Sequence, residues 1–503
     1  MSSTSLNGSI NGVHENGWKS CENGVALNHR SLLQKVEQDE LHDLVCIGFG
    51  PASLAIAVAL HDALGERGRS GGKYVDPPKV AFLERQAQFA WHAGMLLPGT
   101  KMQISFLKDL ATLRNPKSDF TFLNYLHKKD RLVEFANLST FLPQRIEFED
   151  YLKWCADWFE DVAEYSQEVI QVTPEKSSKG SGAIDSFAIT SRHTETGKTT
   201  TRRARHVVVA VGGKAWIPAP FPQSHPRVIH SSQYSHAVHQ ILTDSSRPYR
   251  IAVVGSGQSA AEVFATLHSQ YPNSQTRLII KGAALRPSDD SPFVNEIFNP
   301  ERVDSIYRLS SAKRAASIAE DRNTNYGVVR IELLEHIYET LYTQRIQYSS
   351  EAEWPHRILS HRIVQDVKEL SAKSGNQLRL RLQDNTDPTA PSTEALDVDL
   401  LILATGYTRD AHETLLQSAR HLMPNGGRAS EKWDVGRDYR VHFAQGKMSP
   451  DAGVWLQGCN QDTHGLADSL LSILAVRGGE IVDSIFGGEL DLHPHVNGSN
   501  GVH

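Results

Sequence analysis

Leu44-Val45-Cys46-Ile47-Gly48-Phe49-Gly50-Pro51-Ala52-Ser53 decides the fold of this chain. Four apolar residues without alternation read as a strand buried on both faces, the habit of parallel sheets. Gly48 permits a tight turn, Gly50 lets the backbone approach a pyrophosphate, and Ser53 takes the third small position of a Gly-x-Gly-x-x-Gly pattern. Helical spacing follows, with Leu54, Ala57, Val58 and His61 on one face. The start of such a helix offers N–H groups and a positive dipole to an anion. Outward from this turn, the run Val80-Ala81-Phe82-Leu83 ends in Glu84, a carboxylate able to accept both hydroxyls of a ribose. Glu84 lies 36 residues beyond Gly48, more than the usual ~20. Residues 68–78 read as a loop that absorbs the excess.

The pattern returns 207 residues later. Ile251-Ala252-Val253-Val254 meets Gly255-Ser256-Gly257-Gln258-Ser259-Ala260, and Ala260, Val263, Phe264 and Leu267 share a helical face. The next run, Arg277-Leu278-Ile279-Ile280, ends in Lys281 rather than an acid. A cation there suits the 2′-phosphate of NADPH. Two further buried runs end in glycine: residues 207–211 before Gly212-Gly213, and residues 398–403 before Ala404-Thr405-Gly406-Tyr407.

Composition bounds the rest. At 503 residues the chain holds about three domain-sized units. Hydrophobic residues make up 40% and charged residues 22%, an ordinary globular mixture, and no apolar stretch is long enough to predict a membrane span. A net charge of −6 argues against nucleic acid as a partner. The four cysteines (Cys21, Cys46, Cys155 and Cys459) form no Cys-x-x-Cys pair, and no metal site is expected. They read as a reducing, cytoplasmic setting. Two dinucleotide folds in one chain point to a flavoprotein, with FAD on the first turn and NADPH on the second. Without a redox cysteine pair the disulfide reductases drop out, leaving a monooxygenase or a ferredoxin-type reductase.

More specific stretches lie beyond the two turns. They are Phe89-Ala90-Trp91-His92-Ala93-Gly94-Met95, Met102-Gln103-Ile104-Ser105-Phe106-Leu107-Lys108-Asp109-Leu110, Asp289-Asp290-Ser291-Pro292-Phe293-Val294-Asn295-Glu296, Asn323-Thr324-Asn325-Tyr326 and His464-Gly465-Leu466-Ala467-Asp468-Ser469-Leu470-Leu471-Ser472. In these stretches, and from about residue 41 to 487, the chain closely resembles the flavin-dependent N-hydroxylating monooxygenases, above all the fungal L-ornithine branch that serves hydroxamate siderophore synthesis.

The resemblance implies FAD contacts from Gly48, Gly50, Ser53, Glu84, Trp91, His92, Gln103, Val169, Ser469, Leu470 and Leu471. It implies NADPH contacts from Gly255, Ser256, Gly257, Gln258, Ser259, Lys281, Asn325, Tyr326 and Gly327. Substrate contacts would be Lys108, Asn295, Asn325 and Ser472. Lys108 can pair with an α-carboxylate, and Asn295 and Ser472 can accept from an α-amino group. The implied reaction is NADPH-driven hydroxylation of the ornithine side-chain amine by dioxygen, through a hydroperoxyflavin, giving N-hydroxy-L-ornithine. No side chain is assigned as general acid or base. A homotetramer is implied. A lysine or diamine hydroxylase of the same family, or a non-catalytic flavoprotein redox sensor, are the alternatives.

The expected architecture is α/β, with two Rossmann-like dinucleotide-binding domains and a small helical substrate-binding module. The FAD domain spans 41–217 and 398–487, the late run at 398–403 returning to the first sheet. The NADPH domain spans 218–290 and 345–397, interrupted by a helical module at 291–344, whose spacing shows in Ile331, Leu334, Ile337 and Leu341. Polar stretches at about 174–200 and 370–396 read as hairpin loops within β-rich segments. Asn, Gly and Ser supply 15 of the first 40 residues, which read as a disordered tail, as do residues 488–503.

Overall fold

The computed structural model describes residues 31–69, 76–177, 182–370, 377–387, 389–428 and 431–490. The first unit opens with strand β1 (Leu41–Ile47), helix α1 (Pro51–Arg69) and β2 (Val80–Leu83). Three helices follow, α2 (Phe122–Lys128), α3 (Leu132–Asn137) and α4 (Arg145–Asp157). Then come β3 (Ala163–Glu164), β4 (Gln167–Lys176), β5 (Ile184–His193) and β6 (Thr199–Val209). Their order in the sheet is β3-β2-β1-β6-β5-β4. β1 runs parallel to β2 and β6, while β4, β5 and β6 form an antiparallel meander. The unbroken apolar runs have a plain cause. Leu44, Cys46, Phe82 and Val208 feed the core under α1, and their neighbours Val45, Ile47, Ala81, Leu83, Val207 and Val209 feed a second core on the opposite face.

The second unit begins after β7 (Lys214–Ala215) with β8 (Val228–His230), α5 (Tyr234–Ile241), β9 (Arg250–Val254), α6 (Gln258–Gln270) and β10 (Gln275–Ile279). The helices α7 (Pro292–Asn295), α8 (Arg302–Tyr307), α9 (Ser311–Asp321) and α10 (Ile331–Gln347) come next. β11 (His356–Leu359), the antiparallel trio β12 (Arg362–Glu369), β13 (Leu378–Asp384) and β14 (Ser392–Val398), and β15 (Leu400–Leu403) complete it. The parallel sheet has the order β11-β10-β9-β15-β8. β16 (Tyr407–Thr408) pairs with β7 where the chain crosses back. The chain then forms α11 (Ala411–Leu415), β17 (Gly453–Leu456), α12 (Gln461–His464) and α13 (Leu474–Leu490).

Four expectations are corrected. The run at 398–403 does not return to the first sheet. β15 lies between β9 and β8 in the second, and the strand that returns is β17, parallel to β6. Both runs are fully buried, so apolar content alone could not assign the sheet. The polar stretches are strands more than loops: β5 lies inside 174–200, and β13 with most of β14 inside 370–396. β13 alternates buried and exposed positions, so its polar residues sit on the solvent side, while β14 is exposed over its first four residues. The helical segment is not one module either. α10 sends Ile337 into the core of the second sheet, with Leu333, Leu334 and Leu341 packed beside it, while Ile331 is exposed. α8 and α9 instead pack on the last part of the chain, where Val303 clusters with Ala467 and Ile473 and Arg314 donates to Asp462 O at 2.8 Å. Finally, residues 31–40 are held to the body: Leu33 is 6% exposed in the main core, the Ser31 N–H donates to Trp158 O at 3.1 Å, and Gln34 bridges to Lys79. Residues 1–30 of the tail expected at 1–40, and 491–503 of the one expected at 488–503, lie outside the described residues, while 488–490 belong to the end of α13.

Candidate functional site

The first glycine turn closes tightly on the sheet. Gly48 has φ 88°, and a Cβ there would stand 2.7 Å from the carbonyl oxygen of Ala210. Glu84 is tied to the same turn. Its Oε2 accepts from the Phe49 N–H at 2.8 Å and its Oε1 from the Gln86 N–H at 2.9 Å. Each carboxylate oxygen keeps a lone pair for an external hydroxyl. A Cβ on Gly50 would meet nothing within 4 Å, so space remains in front of α1, whose first turn carries no acidic residue. Ser53 is fully buried against the sheet. Val169 sits in β4, which begins beside Glu84 through the Gln167 N–H to Glu84 O bond of 2.8 Å.

The segment after β2 brings Trp91 edge-on to Phe148 and His92 edge-on to Tyr407, with ring centres 6.1 Å apart in each pair. His92 adopts φ 49°, and burial, reinforced by Arg145 and Arg409, lowers its pKa to about 4. It is a neutral ring at physiological pH. Gln103 is exposed. Across from these, the loop 465–473 is anchored by Asp468, which accepts from the Asn460 N–H at 2.7 Å and pairs with buried Arg477 at 3.0 Å. Ser469, Leu470, Leu471 and Ser472 follow directly. Ser472 is 2% exposed and its Oγ is without a partner among the described residues. The side-chain amide of Gln457, buried just past β17, has neither atom satisfied. Leaving a buried polar group unpaired costs about 1–3 kcal/mol. Glu84 and Gln457 lie just beyond the carboxyl ends of the parallel strands β2 and β17, where open α/β sheets bind ligands. The donor set, the open helix terminus and the orphaned polar atoms fit a flavin dinucleotide.

The second turn repeats the geometry. Gly255 has φ 144°, and a Cβ there would lie 2.5 Å from Ala404 O. Ser256, Gly257, Gln258 and Ser259 lead into α6, whose N-terminus has no side-chain cap and no acidic residue in its first turn. The Cα of Gly327 lies 3.5 Å from a Cβ built on Gly257, so the Asn325-Tyr326-Gly327 segment faces this turn. Lys281 is exposed just past β10. These residues suit a phosphorylated dinucleotide.

The proposed substrate residues come from both units. Half-buried Lys108 reaches Asn299 Oδ1 at 3.5 Å. Burial holds its ammonium below the usual lysine range, with Glu301 opposing. Asn295 is exposed at the end of α7 and donates to Asp290 O at 2.9 Å. Asn325 is half-buried, one residue from Tyr326, whose hydroxyl meets Ser469 Oγ at 3.3 Å. Lys108 is thus brought to the α7–α8 region, and Asn325 to the loop that carries Ser472. Among the described residues no hydrogen bond joins these four side chains to one another.

The model of the L-lysine 6-monooxygenase/L-ornithine 5-monooxygenase family matches residues 40–409. The chain belongs to this family. An L-ornithine N(5)-monooxygenase of Cochliobolus heterostrophus is 62% identical, the match covering 92% of this chain and 89% of the relative. Among solved structures, an ornithine hydroxylase from Pseudomonas aeruginosa aligns with a TM-score of 0.77 at 38% identity, covering 89% of this chain and 99% of that one. An ornithine N-hydroxylase from Kutzneria sp. 744, solved with reduced FAD, NADP⁺ and L-ornithine, also gives 0.77, at 36% identity over 89% of this chain and 100% of that one.

In this family member the sequence reading missed three features. One is the bond from Tyr326 to Ser469, which joins the two cofactor regions. Another is the Asp468–Arg477 pair, and two charges in an apolar stretch were a usable signal for it. The third is the contact of Arg145 with Glu262, which crosses between units and leaves no mark in local sequence. Among the described residues no group of three or more His, Cys, Asp or Glu could hold a metal ion, and no helix is long and apolar enough to cross a membrane. Cys46, Cys155 and Cys459 are free thiols. Cys21 lies outside the described residues.

Proposed function

We propose that this chain is an FAD- and NADPH-dependent L-ornithine N5-monooxygenase of hydroxamate siderophore synthesis. The observation that carries this reading is the Tyr326–Ser469 bond: Tyr326 precedes Gly327 at the second glycine turn, and Ser469 lies in the loop that leads into α13, which packs on α1 behind the first. The overall reaction balances as amine, dioxygen, NADPH and a proton giving N-hydroxyornithine, water and NADP⁺. FAD, when bound, supplies the redox chemistry that activates dioxygen.

The protein's own residues supply binding, orientation and dryness. Glu84 and the N-terminus of α1 would hold the adenosine and pyrophosphate of FAD, with Val169 against the adenine. Trp91, His92, Gln103 and residues 469–471 would line the ring system. Residues 255–259, Lys281 and 325–327 would hold NADPH. Lys108 would pair with the ornithine carboxylate, while Asn295 and Ser472 accept from its α-amino group. Asn325 would accept from the side-chain amine. That amine must be neutral to react, and its pKa of ~10.4 in water has to fall by desolvation. Neutral His92 adds no positive charge beside the flavin site. The FAD domain would comprise the first sheet with β17 and α13, and the NADPH domain the second sheet with α10. A cytoplasmic homotetramer completes the reading.

The test is NADPH oxidation by FAD-loaded protein with ornithine, lysine or putrescine, measuring hydroxylamine and peroxide separately. Ornithine should give hydroxylamine nearly equal to NADPH consumed. Equal coupling with lysine or putrescine would defeat the ornithine assignment, and peroxide alone with every amine would defeat the hydroxylase.

A further inference from the structure

We propose that Glu262 is a positioning residue for the nicotinamide cofactor, acting through Gln258 at the mouth of the second glycine turn. This rests on the reading that the second turn binds NADPH. Glu262 lies on α6 and is 5% exposed. Arg145, at the start of α4 in the other unit, grips it with two bonds, Nη1 to Oε2 at 2.9 Å and Nη2 to Oε1 at 2.8 Å. Arg145 is itself fixed, since Nη1 also donates to Met95 O at 3.1 Å and its backbone N–H to Thr100 O at 2.9 Å.

One turn back along α6, Gln258 Nε2 donates to Glu262 Oε1 at 2.9 Å, and Gln258 Oε1 accepts from the backbone N–H of Arg330 at 2.9 Å. An ionised carboxylate only accepts and a backbone N–H only donates. These two partners therefore permit a single orientation of the Gln258 amide. The second Nε2 hydrogen then becomes a donor of fixed direction beside Gly257 and Gly327. It suits an acceptor of the bound dinucleotide, a ribose, phosphate or carboxamide oxygen. A glutamine at 262 keeps one acceptor oxygen for three donors, two from Arg145 and one from Gln258, so the Nε2 end of the Gln258 amide loses its charged anchor and the donor is held less firmly, although the Arg330 N–H still holds Oε1. The same contact ties the mouth of the second turn to the first unit, so Gln258 is held in register with the flavin side of the seam.

The test compares FAD-loaded wild type, Gln258→Ala, Glu262→Gln and the double variant. The readings are KM for NADPH and kcat at saturating ornithine, with the flavin spectrum and thermal unfolding as controls. Each single substitution should raise the NADPH KM about tenfold, the effect of one lost charge-assisted hydrogen bond, while kcat changes much less. The double variant should be no worse than Gln258→Ala, because Glu262 acts through that side chain. A Glu262→Gln enzyme with wild-type NADPH KM, or a double variant in which the two effects multiply, overturns the proposal. If Gln258→Ala leaves the NADPH KM unchanged the proposal fails, whereas the reading that NADPH occupies the second turn fails only if Gly255→Val also keeps normal NADPH kinetics. Should Glu262→Gln not hold FAD, Glu262→Asp keeps the charge opposite Arg145 but shortens the reach, and its KM is read by the same criteria.

Discussion

Lys108 is where the site is easiest to test. Its ammonium is half-buried, opposite Asn299 and Glu301, and burial already lowers its pKa. Lys108→Ala should raise the ornithine KM about a hundredfold, the loss of a charge-assisted contact, while NADPH oxidation without ornithine stays near wild type. Unchanged ornithine affinity would remove the carboxylate assignment. Lys281→Ala should weaken NADPH more than NADH in steady-state comparison, and an equal loss for both would deny the 2′-phosphate role. Residues were unevenly legible. Gly48 and Gly255 show their purpose in sequence because only a residue without a side chain fits φ 88° or φ 144° against a carbonyl. Lys108, Asn295, Asn325 and Ser472 have no such local mark. Each is an ordinary surface or turn residue until distant segments meet, and only resemblance singled them out.

Elements follow the same division. Strand, turn and helix around each glycine pair were legible because buried runs and helical spacing are local properties. The sheet to which a run belongs is not. β15 and β17 are both buried on every position, and only their partners, β9 and β8 for one and β6 for the other, separate them. The division of the helical segment was hidden for a related reason: the apolar face of α10 says that it packs, not against what. The turn before α6 gives a prediction at this scale. Gly255→Val would force a β-branched side chain into Ala404 O in a conformation that L-residues avoid. NADPH-driven flavin reduction should fall at least about tenfold, with FAD still bound and still reducible by dithionite. Normal NADPH kinetics in that variant would show that the turn does not shape the site.

At the scale of the molecule, buried neutral histidines set the response to acid. Burial lowers the pKa to about 4 in His92, His206, His356 and His464 and to about 3 in His268. The unfolded chain takes up protons near pH 6.5, so the stability these rings contribute is full above that value and is lost as pH falls toward 4. Carboxyls raised by burial, such as Asp109, act in the opposite sense nearer their own range. The unfolding temperature of the FAD-loaded protein should therefore drop between pH 7 and pH 5, and a flat profile would contradict this. The same five rings are spread over both units, so the loss is expected in the whole fold. The central claim is that ornithine sits at the seam between the units, with its carboxylate on Lys108 and its side-chain amine toward Asn325. A crystal structure with FAD, NADP⁺ and ornithine tests it most directly. The account predicts the ornithine carboxylate within hydrogen-bond reach of Lys108 Nζ and the cofactors on their separate glycine turns; ornithine bound away from Lys108, or NADP⁺ away from residues 255–259, would contradict it.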